Sequence, residues 1–157
     1  MPPIVTAPHS RVHASMMTIA LLIVQGPGAA VEGEAPVLPT RCAGHGIKRI
    51  VCEDVAALTA ALRAAPTLAA AMVVIEPGKL NRRVADASSL RRTLDALPMP
   101  YIELHADRGV ELDAWLHPQH GPVAVVVTLC DRARGYAMTL GIAARRLASA
   151  GAGSCRC

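Results

Sequence analysis

Two side chains of this sequence have the chemistry of an acid–base pair and stand two residues apart. Glu103 and His105 lie at the end of a short apolar segment. Residues two apart on a strand point to the same face, so the carboxylate can orient the imidazole. Two interpretations stay open: His105 is the base of a reaction, or it is a half-buried histidine whose hydrogen bond Glu103 satisfies.

Five apolar segments closed by Gly, Pro or polar residues are typical of strands buried on both faces. They cover residues 18–24, 47–52, 72–75, 101–104 and 123–128. Helical spacing of apolar residues predicts helices over 55–64, 88–97 and 133–150, with a long loop over 106–121. Strands that alternate with helices predict an α/β domain in which a parallel sheet carries helices on both faces.

In such sheets, ligands bind beyond the carboxyl ends of the strands. The stretches 25–28, 76–78 and 103–107 fall there. We therefore predict a pocket at this edge, with His105 and Glu103 as its catalytic pair. The predicted ligand contacts are Gln25, Gly26, Gly28, Glu76, Gly78, Ala106 and Asp107.

Length and composition indicate one domain. The chain has 157 residues, of which 52% are hydrophobic, enough for one packed core. We expect residues 1–15 to be a disordered leader, 16–150 to be the domain, and 151–157 to be a flexible tail. The five cysteines are odd in number and irregular in spacing, which favours a reducing compartment and hence the cytoplasm. Cys130 is expected to belong to the core.

Several partner classes are disfavoured. The formal net charge is +4, but binding nucleic acid by stacking needs exposed rings, and the aromatic residues are few: Tyr101, Trp115 and Tyr136. The longest apolar run, 16–24, is far shorter than the roughly 20 residues of a membrane helix. We predict no nucleic-acid and no membrane partner.

A metal site is conceivable from His105, His117 and His120 with Glu103 or Asp107. Pro118 disfavours a helix between the last two histidines, so their spacing carries no information. We therefore predict no metal ion and no other cofactor.

The three strand ends resemble those of the type II 3-dehydroquinate dehydratases. In that family, the first strand ends in Asn-Gly-Pro-Asn, the third ends in Asn-Pro-Gly-Ala, and the fourth carries Glu-Val-His followed by a small polar pair. The matching stretches here are Gln25-Gly26-Pro27-Gly28, Glu76-Pro77-Gly78-Lys79 and Glu103-Leu104-His105-Ala106-Asp107. Pro122-Val123-Ala124-Val125 resembles the last strand, and Arg134-Gly135-Tyr136 resembles the Gly-Tyr that opens the last helix.

The resemblance runs from about residue 18 to residue 147. It implies a flavodoxin-like, doubly wound sheet of five parallel strands in the order 2-1-3-4-5. It also implies a dehydration that begins with proton abstraction by a lid tyrosine beside an arginine. No tyrosine occurs in residues 34–41, and the lid arginine falls on Ala35, unless Arg41 substitutes from a shifted position.

Other family residues are replaced as well. The asparagine of the third strand end is Glu76, and the loop histidine falls near Ala85 or Asp86. The late arginine falls near Trp115, and an acidic residue that neighbouring subunits contribute falls on Arg92.

New negative charges stand where the family has neutral donors. The family substrate is a carboxylate, and two like charges roughly 5 Å apart repel by about 3 kcal/mol at an effective dielectric constant of about 20. Glu76 and Asp107 are therefore predicted to weaken dehydroquinate binding, unless Glu76 faces solvent or pairs with an arginine. Lys79 could offset one of the charges.

Our main hypothesis is a dehydroquinase-like protein without most catalytic residues, repurposed or non-catalytic, that binds a small molecule or a partner. The alternative is an active 3-dehydroquinate dehydratase that uses shifted residues or a partner subunit. The resemblance implies a trimer-based homo-oligomer, and a hetero-oligomer with an active family member is a third hypothesis.

Overall fold

The structure is a computed structural model that describes residues 19–29, 37–80, 84–106 and 112–152. The predicted leader, residues 1–15, lies outside these ranges, as do most of the predicted tail and Asp107.

Five parallel strands form the sheet: β1 (Ile19–Gln25), β3 (His45–Val51), β4 (Met72–Glu76), β5 (Tyr101–His105) and β6 (Ala124–Val127). Their order is β3-β1-β4-β5-β6, which is the predicted 2-1-3-4-5. A sixth strand, β2 (Arg41–Cys42), pairs antiparallel with β3 at the edge. Ala43 and Gly44 join β2 to β3 with positive φ angles, as a two-residue hairpin turn requires, and their sequence did not signal that turn.

Four helices connect the strands: α1 (Val55–Ala64), α2 (Val84–Asp95), α3 (Leu112–Leu116) and α4 (Arg132–Ala152). Helix α1 has the predicted bounds, and the Asp54 side chain caps it by accepting the Ala57 N–H at 2.7 Å. Helix α2 starts earlier than predicted and ends before Leu97, because a residue that precedes a proline disfavours helical angles. Helix α3 lies inside the predicted loop, and α4 runs to Ala152.

The helices cover both faces of the sheet, so the predicted doubly wound α/β fold is confirmed. One core cluster joins alternate strand residues such as Leu22, Val73 and Tyr101 to α1, α2 and α3. The other joins residues such as Ile23 and Val74 to α4. No helix in the described ranges is long and apolar enough to cross a membrane.

At the carboxyl edge of the sheet, the loops after β1 and β4 touch through their glycines. The Lys79 N–H donates to the Pro27 carbonyl at 2.7 Å. A Cβ atom on Gly26 would lie 1.9 Å from the Pro77 carbonyl oxygen. Gly78 has a φ of +65°, and its Cβ would lie 2.3 Å from the Pro27 oxygen. Both positions therefore require glycine for two loops to meet.

We expect Gly26→Ala to lower the free energy of unfolding by about 1–3 kcal/mol, because the added methyl collides with backbone that side-chain rotation cannot move. The matched control is Gly141→Ala in α4, where a Cβ meets nothing within 4 Å. That change should raise stability by up to about 1 kcal/mol through helix propensity. Urea unfolding of both variants checks the pair, and equal stability of Gly26→Ala and the parent would contradict the loop contact.

Candidate functional site

A cavity of about 290 Å³ opens at the carboxyl edge of the sheet. Five predicted site residues line it: Gly28, Glu76, Gly78, His105 and Ala106. Gln25, Gly26 and Glu103 are buried and do not line it, and Asp107 lies outside the described ranges. The remaining lining residues are Ala29, Leu104, Cys130 and Arg132.

The cavity is lined in part by the buried carboxylate of Glu76. Glu76 ends β4 and is 4% exposed. The Arg132 guanidinium donates two hydrogen bonds to it, from Nε to Oε1 and from Nη2 to Oε2, both 2.9 Å long. Gln25 Nε2 donates to Oε2 at 2.9 Å, and the Tyr136 hydroxyl donates to the same oxygen in a short hydrogen bond. Glu76 therefore pairs with an arginine, one of the two alternatives to substrate repulsion that the sequence left open.

The fold explains why these four side chains meet. Gln25 and Glu76 are register partners at the ends of neighbouring strands, so both point to the face that α4 covers. Arg132 and Tyr136 are four residues apart on α4 and therefore project from the same side of the helix. The Arg132 guanidinium also lies 5.8 Å from the centre of the Tyr136 ring.

This network keeps Tyr136 protonated. Burial and the negative charge of Glu76 raise the pKa of Tyr136 far above its usual value of 10.0, because both disfavour a phenolate. Burial alone would lower the pKa of Arg132, but the hydrogen bonds and charge of Glu76 outweigh it and raise that pKa. The arrangement is a neutral tyrosine donor beside a charged, paired glutamate and arginine.

The Glu103–His105 pair lies on the opposite face of the sheet. Imidazole Nε2 is 3.1 Å from Glu103 Oε2. The side chains of His105 and Glu103 are 4% and 0% exposed, so the histidine is buried and not half-buried as predicted, while its predicted hydrogen bond to Glu103 is present. Glu103 Oε1 has no hydrogen-bond partner among the described residues. A carboxylate behind an imidazole that lines a cavity is the arrangement that positions a histidine as a general base.

Sequence reasoning missed three residues of this site. It gave Arg132 no role, treated Tyr136 only as part of a helix-opening motif, and assigned Cys130 to the core. Cys130 is instead exposed, lines the cavity and has a φ of +60°. The carboxyl ends of parallel strands meet at one edge of the sheet, so the segment after β6, which holds Cys130 and Arg132, lies at the same edge as Glu76. Applying this rule to β6 would have identified these residues from the sequence.

Two sets of residues that the sequence suggested for this site, the histidines of a conceivable metal site and the substitute lid arginine Arg41, do not converge at the cavity. His120 packs edge-on against the Tyr101 ring, with centroids 5.6 Å apart, at the start of β5, whereas His105 ends that strand. No three metal-ligating side chains converge anywhere in the described ranges. Arg41 pairs with Gly46 near the start of β3, roughly 16 Å along the strand from its carboxyl end. It cannot replace a lid arginine at the cavity of its own chain.

Removal of Arg132 should be costly, because it leaves the Glu76 carboxylate buried beside the Tyr136 and Gln25 donors without its counter-charge. We expect Arg132→Ala to lower the free energy of unfolding by about 3–5 kcal/mol at neutral pH. The control is Arg134→Ala, an exposed arginine two residues from Arg132 in the same helix turn, which should change stability by no more than about 0.5 kcal/mol. Chemical unfolding measures both, and similar effects would contradict the ion pair.

Comparisons with known proteins bear on the fold. No family model matches the sequence, and no curated protein is similar to it. Among solved structures, a 3-dehydroquinate dehydratase-like protein from Bifidobacterium longum superposes with a TM-score of 0.54 at 14% sequence identity. The match covers 82% of this chain and 98% of that one. At this identity the likeness is one of fold: the chain has the architecture of a dehydroquinate dehydratase-like protein.

Proposed function

We propose that this protein binds a small polar molecule at the carboxyl-edge cavity and does not dehydrate 3-dehydroquinate. The observation that carries the proposal is the state of its two tyrosines. The chain contains only Tyr101 and Tyr136, and both are hydrogen-bond donors whose pKa is raised. A dehydroquinase-like reaction requires a tyrosinate base, which neither residue supplies.

Each of the two tyrosines is prevented from acting as a tyrosinate base by a different set of contacts. Tyr136 lies at the site, but its hydroxyl proton is committed to Glu76. Tyr101 begins β5, is fully buried and donates to the His120 carbonyl at 2.9 Å. Burial and the nearby Glu103, Asp113 and Asp95 charges raise the pKa of Tyr101. Ionising either phenol at neutral pH would place an uncompensated negative charge in low dielectric.

The cavity itself suits a small ligand. Its volume of about 290 Å³ is at the lower end of the range for small-molecule sites. Arg132 offsets the charge of Glu76, so this carboxylate does not repel an anion as strongly as the sequence suggested. We therefore attribute the proposed lack of dehydratase activity to the missing tyrosinate base. That Asp107 weakens dehydroquinate binding stays a prediction. The cytoplasmic location and the trimer-based or hetero-oligomeric assembly also stay predictions.

A second candidate function is proton transfer in a different reaction, with His105 as the base. The buried Glu103 behind the imidazole supports it. The two candidates differ in one result. If His105 is a base, His105→Gln should abolish turnover of the cognate compound and leave its binding within about tenfold. If the protein only binds, the bound compound should be recovered unchanged from the parent.

The dehydration test uses the purified chain alone and mixed with an active type II dehydroquinase. We expect no conversion of 3-dehydroquinate above the buffer rate by the chain alone, and no more conversion in the mixture than the active enzyme gives by itself. Ultraviolet absorbance of the conjugated enone product follows the reaction. Saturable turnover by the chain alone would refute the proposal, and enhanced turnover in the mixture would support the hetero-oligomer instead.

Ligand binding can be tested by stabilisation. A panel of small polar metabolites is screened by thermal shift, and a ligand at a hundredfold excess over its Kd should stabilise the fold by about 2.7 kcal/mol. Ala106→Leu fills the cavity lining and should remove that stabilisation. Ala60→Leu, the same change at an exposed site of α1, should retain it. A ligand whose effect persists in Ala106→Leu binds elsewhere and would count against this cavity.

The tyrosines predict the alkaline behaviour of the protein. Because the pKa of each is higher in the folded chain than the ordinary value of 10.0, the folded state holds both phenolic protons more tightly. Their contribution to stability is fully present below pH 10 and is lost as the pH rises above it. We expect tyrosinate absorbance to appear only as the chain unfolds above pH 10, and Tyr136→Phe to weaken the pH dependence of urea unfolding there. Reversible ionisation of a tyrosine in the folded state near neutral pH would restore a candidate base.

A further inference from the structure

Cys130 brings to the cavity a thiol that the proposed function leaves unused. It lies between β6 and α4, lines the cavity, and is free and exposed. Backbone hydrogen bonds align this segment with the end of β5: the Thr128 N–H donates to the His105 carbonyl at 2.9 Å, and the Cys130 N–H donates to the Ala106 carbonyl at 3.0 Å. Cys130 is therefore bonded to the residue that follows His105.

The backbone at Cys130 turns sharply between the strand and the helix. Its φ of +60° lies in the left-handed region, which is strained for a residue other than glycine. Four non-glycine residues in the described ranges have a positive φ, and among them only Cys130 lines the cavity. Many hydrolases hold their nucleophile on a strained strand-to-helix turn, because the turn exposes the reactive atom beyond the end of the sheet.

His105 is a base for this thiol. It is buried and lines the same cavity. Its Nε2 is 3.1 Å from Glu103 Oε2, which leaves Nδ1 as the nitrogen that can accept a proton. A carboxylate at one imidazole nitrogen fixes the tautomer and stabilises the imidazolium that forms when the other nitrogen is protonated. A thiol, an imidazole and a carboxylate in this order form the arrangement that activates a cysteine nucleophile.

Arg132 supplies a hydrogen-bond donor for the oxygen of an attacked carbonyl. It lines the cavity, and two of its three guanidinium nitrogens bind Glu76. The third, Nη1, is buried and has no hydrogen-bond partner among the described residues. A buried donor without a partner is unfavourable, and a ligand oxygen would satisfy it. A fixed, positively charged N–H also stabilises the negative charge that a carbonyl oxygen develops when a nucleophile adds to its carbon.

We propose that Cys130 is the nucleophile of an acyl-transfer site in this cavity, with His105 as its general base and Glu103 as the residue that positions His105. The substrate class is a small carboxylic ester or thioester. The thiol proton passes to Nδ1, the sulfur bonds to the acyl carbon, and the leaving oxygen or sulfur departs with the proton that the imidazolium returns. Water then hydrolyses the enzyme-bound thioester to a carboxylic acid and restores the thiol.

The test uses the full chain and p-nitrophenyl acetate as the probe. We expect a stoichiometric burst of p-nitrophenolate and an acetyl group that peptide mapping by mass spectrometry locates on Cys130. Cys130→Ser should abolish the burst, and His105→Gln should slow it by about 100-fold or more, as removal of a positioned base does. The matched control is His45→Gln, the same change at an exposed histidine that begins β3. That control should react like the parent.

Glu103→Gln tests the positioning residue, because it keeps the shape of the side chain and removes its charge. It should lower the maximal rate of acetylation by about tenfold or more and leave the ester concentration that gives half of this rate unchanged. A purely structural role would leave the maximal rate of the folded variant unchanged, and that result would remove Glu103 from the proposal.

The proposal is overturned if Cys130 is not acetylated, or if His105→Gln leaves its acetylation rate unchanged. A rate at Cys130 no higher than at Cys155 and Cys157 would also overturn it. This last comparison is made within the parent chain and therefore decides the question if His105→Gln does not fold. The inference rests on the proposed ligand site, and the two fail separately. A chain that a ligand stabilises through the cavity, but whose Cys130 stays unacetylated, keeps the binding function and loses the acyl transfer.

Discussion

The buried carboxylate of Glu76 is the constraint on which the carboxyl edge of this protein depends. A carboxylate taken out of water costs several kcal/mol unless a counter-charge and hydrogen bonds replace its hydration. Here they come from Gln25 on β1 and from Arg132 and Tyr136 on α4. The Glu76–Arg132 ion pair therefore connects the first turn of α4 to the end of β4 in the centre of the sheet. Both residues line the cavity.

The same interaction decides the chemistry that the site can perform. By accepting the proton of Tyr136, Glu76 turns the tyrosine at this edge into a fixed neutral donor. Across the sheet, Glu103 positions His105, whose imidazole reaches the cavity. The edge thus holds two buried carboxylates with different partners, one neutralised by a guanidinium and one placed behind an imidazole.

The likeness to a dehydroquinate dehydratase-like structure at 14% identity illustrates how fold and activity separate. The strand order, the doubly wound layers and the loops that meet at Gly26 and Gly78 are properties of the backbone, which different side chains can support. Activity resides in the few side chains at the strand ends. At those ends, this chain has a glutamate–arginine pair whose electrostatics do not favour a tyrosinate.

The sequence by itself determined the parallel strands, the limits of α1 and the edge at which a site would form, because apolar runs, helical spacing and Gly-Pro turns act locally. It did not reveal α3 or the hairpin at Ala43, where short elements carry few local signals. Only the tertiary structure decided that Arg132 neutralises Glu76, 56 residues away, that Glu103 and His105 are buried, and that Cys130 is exposed. Charge pairing and burial depend on which elements pack together, and no pattern within a single segment contains that information.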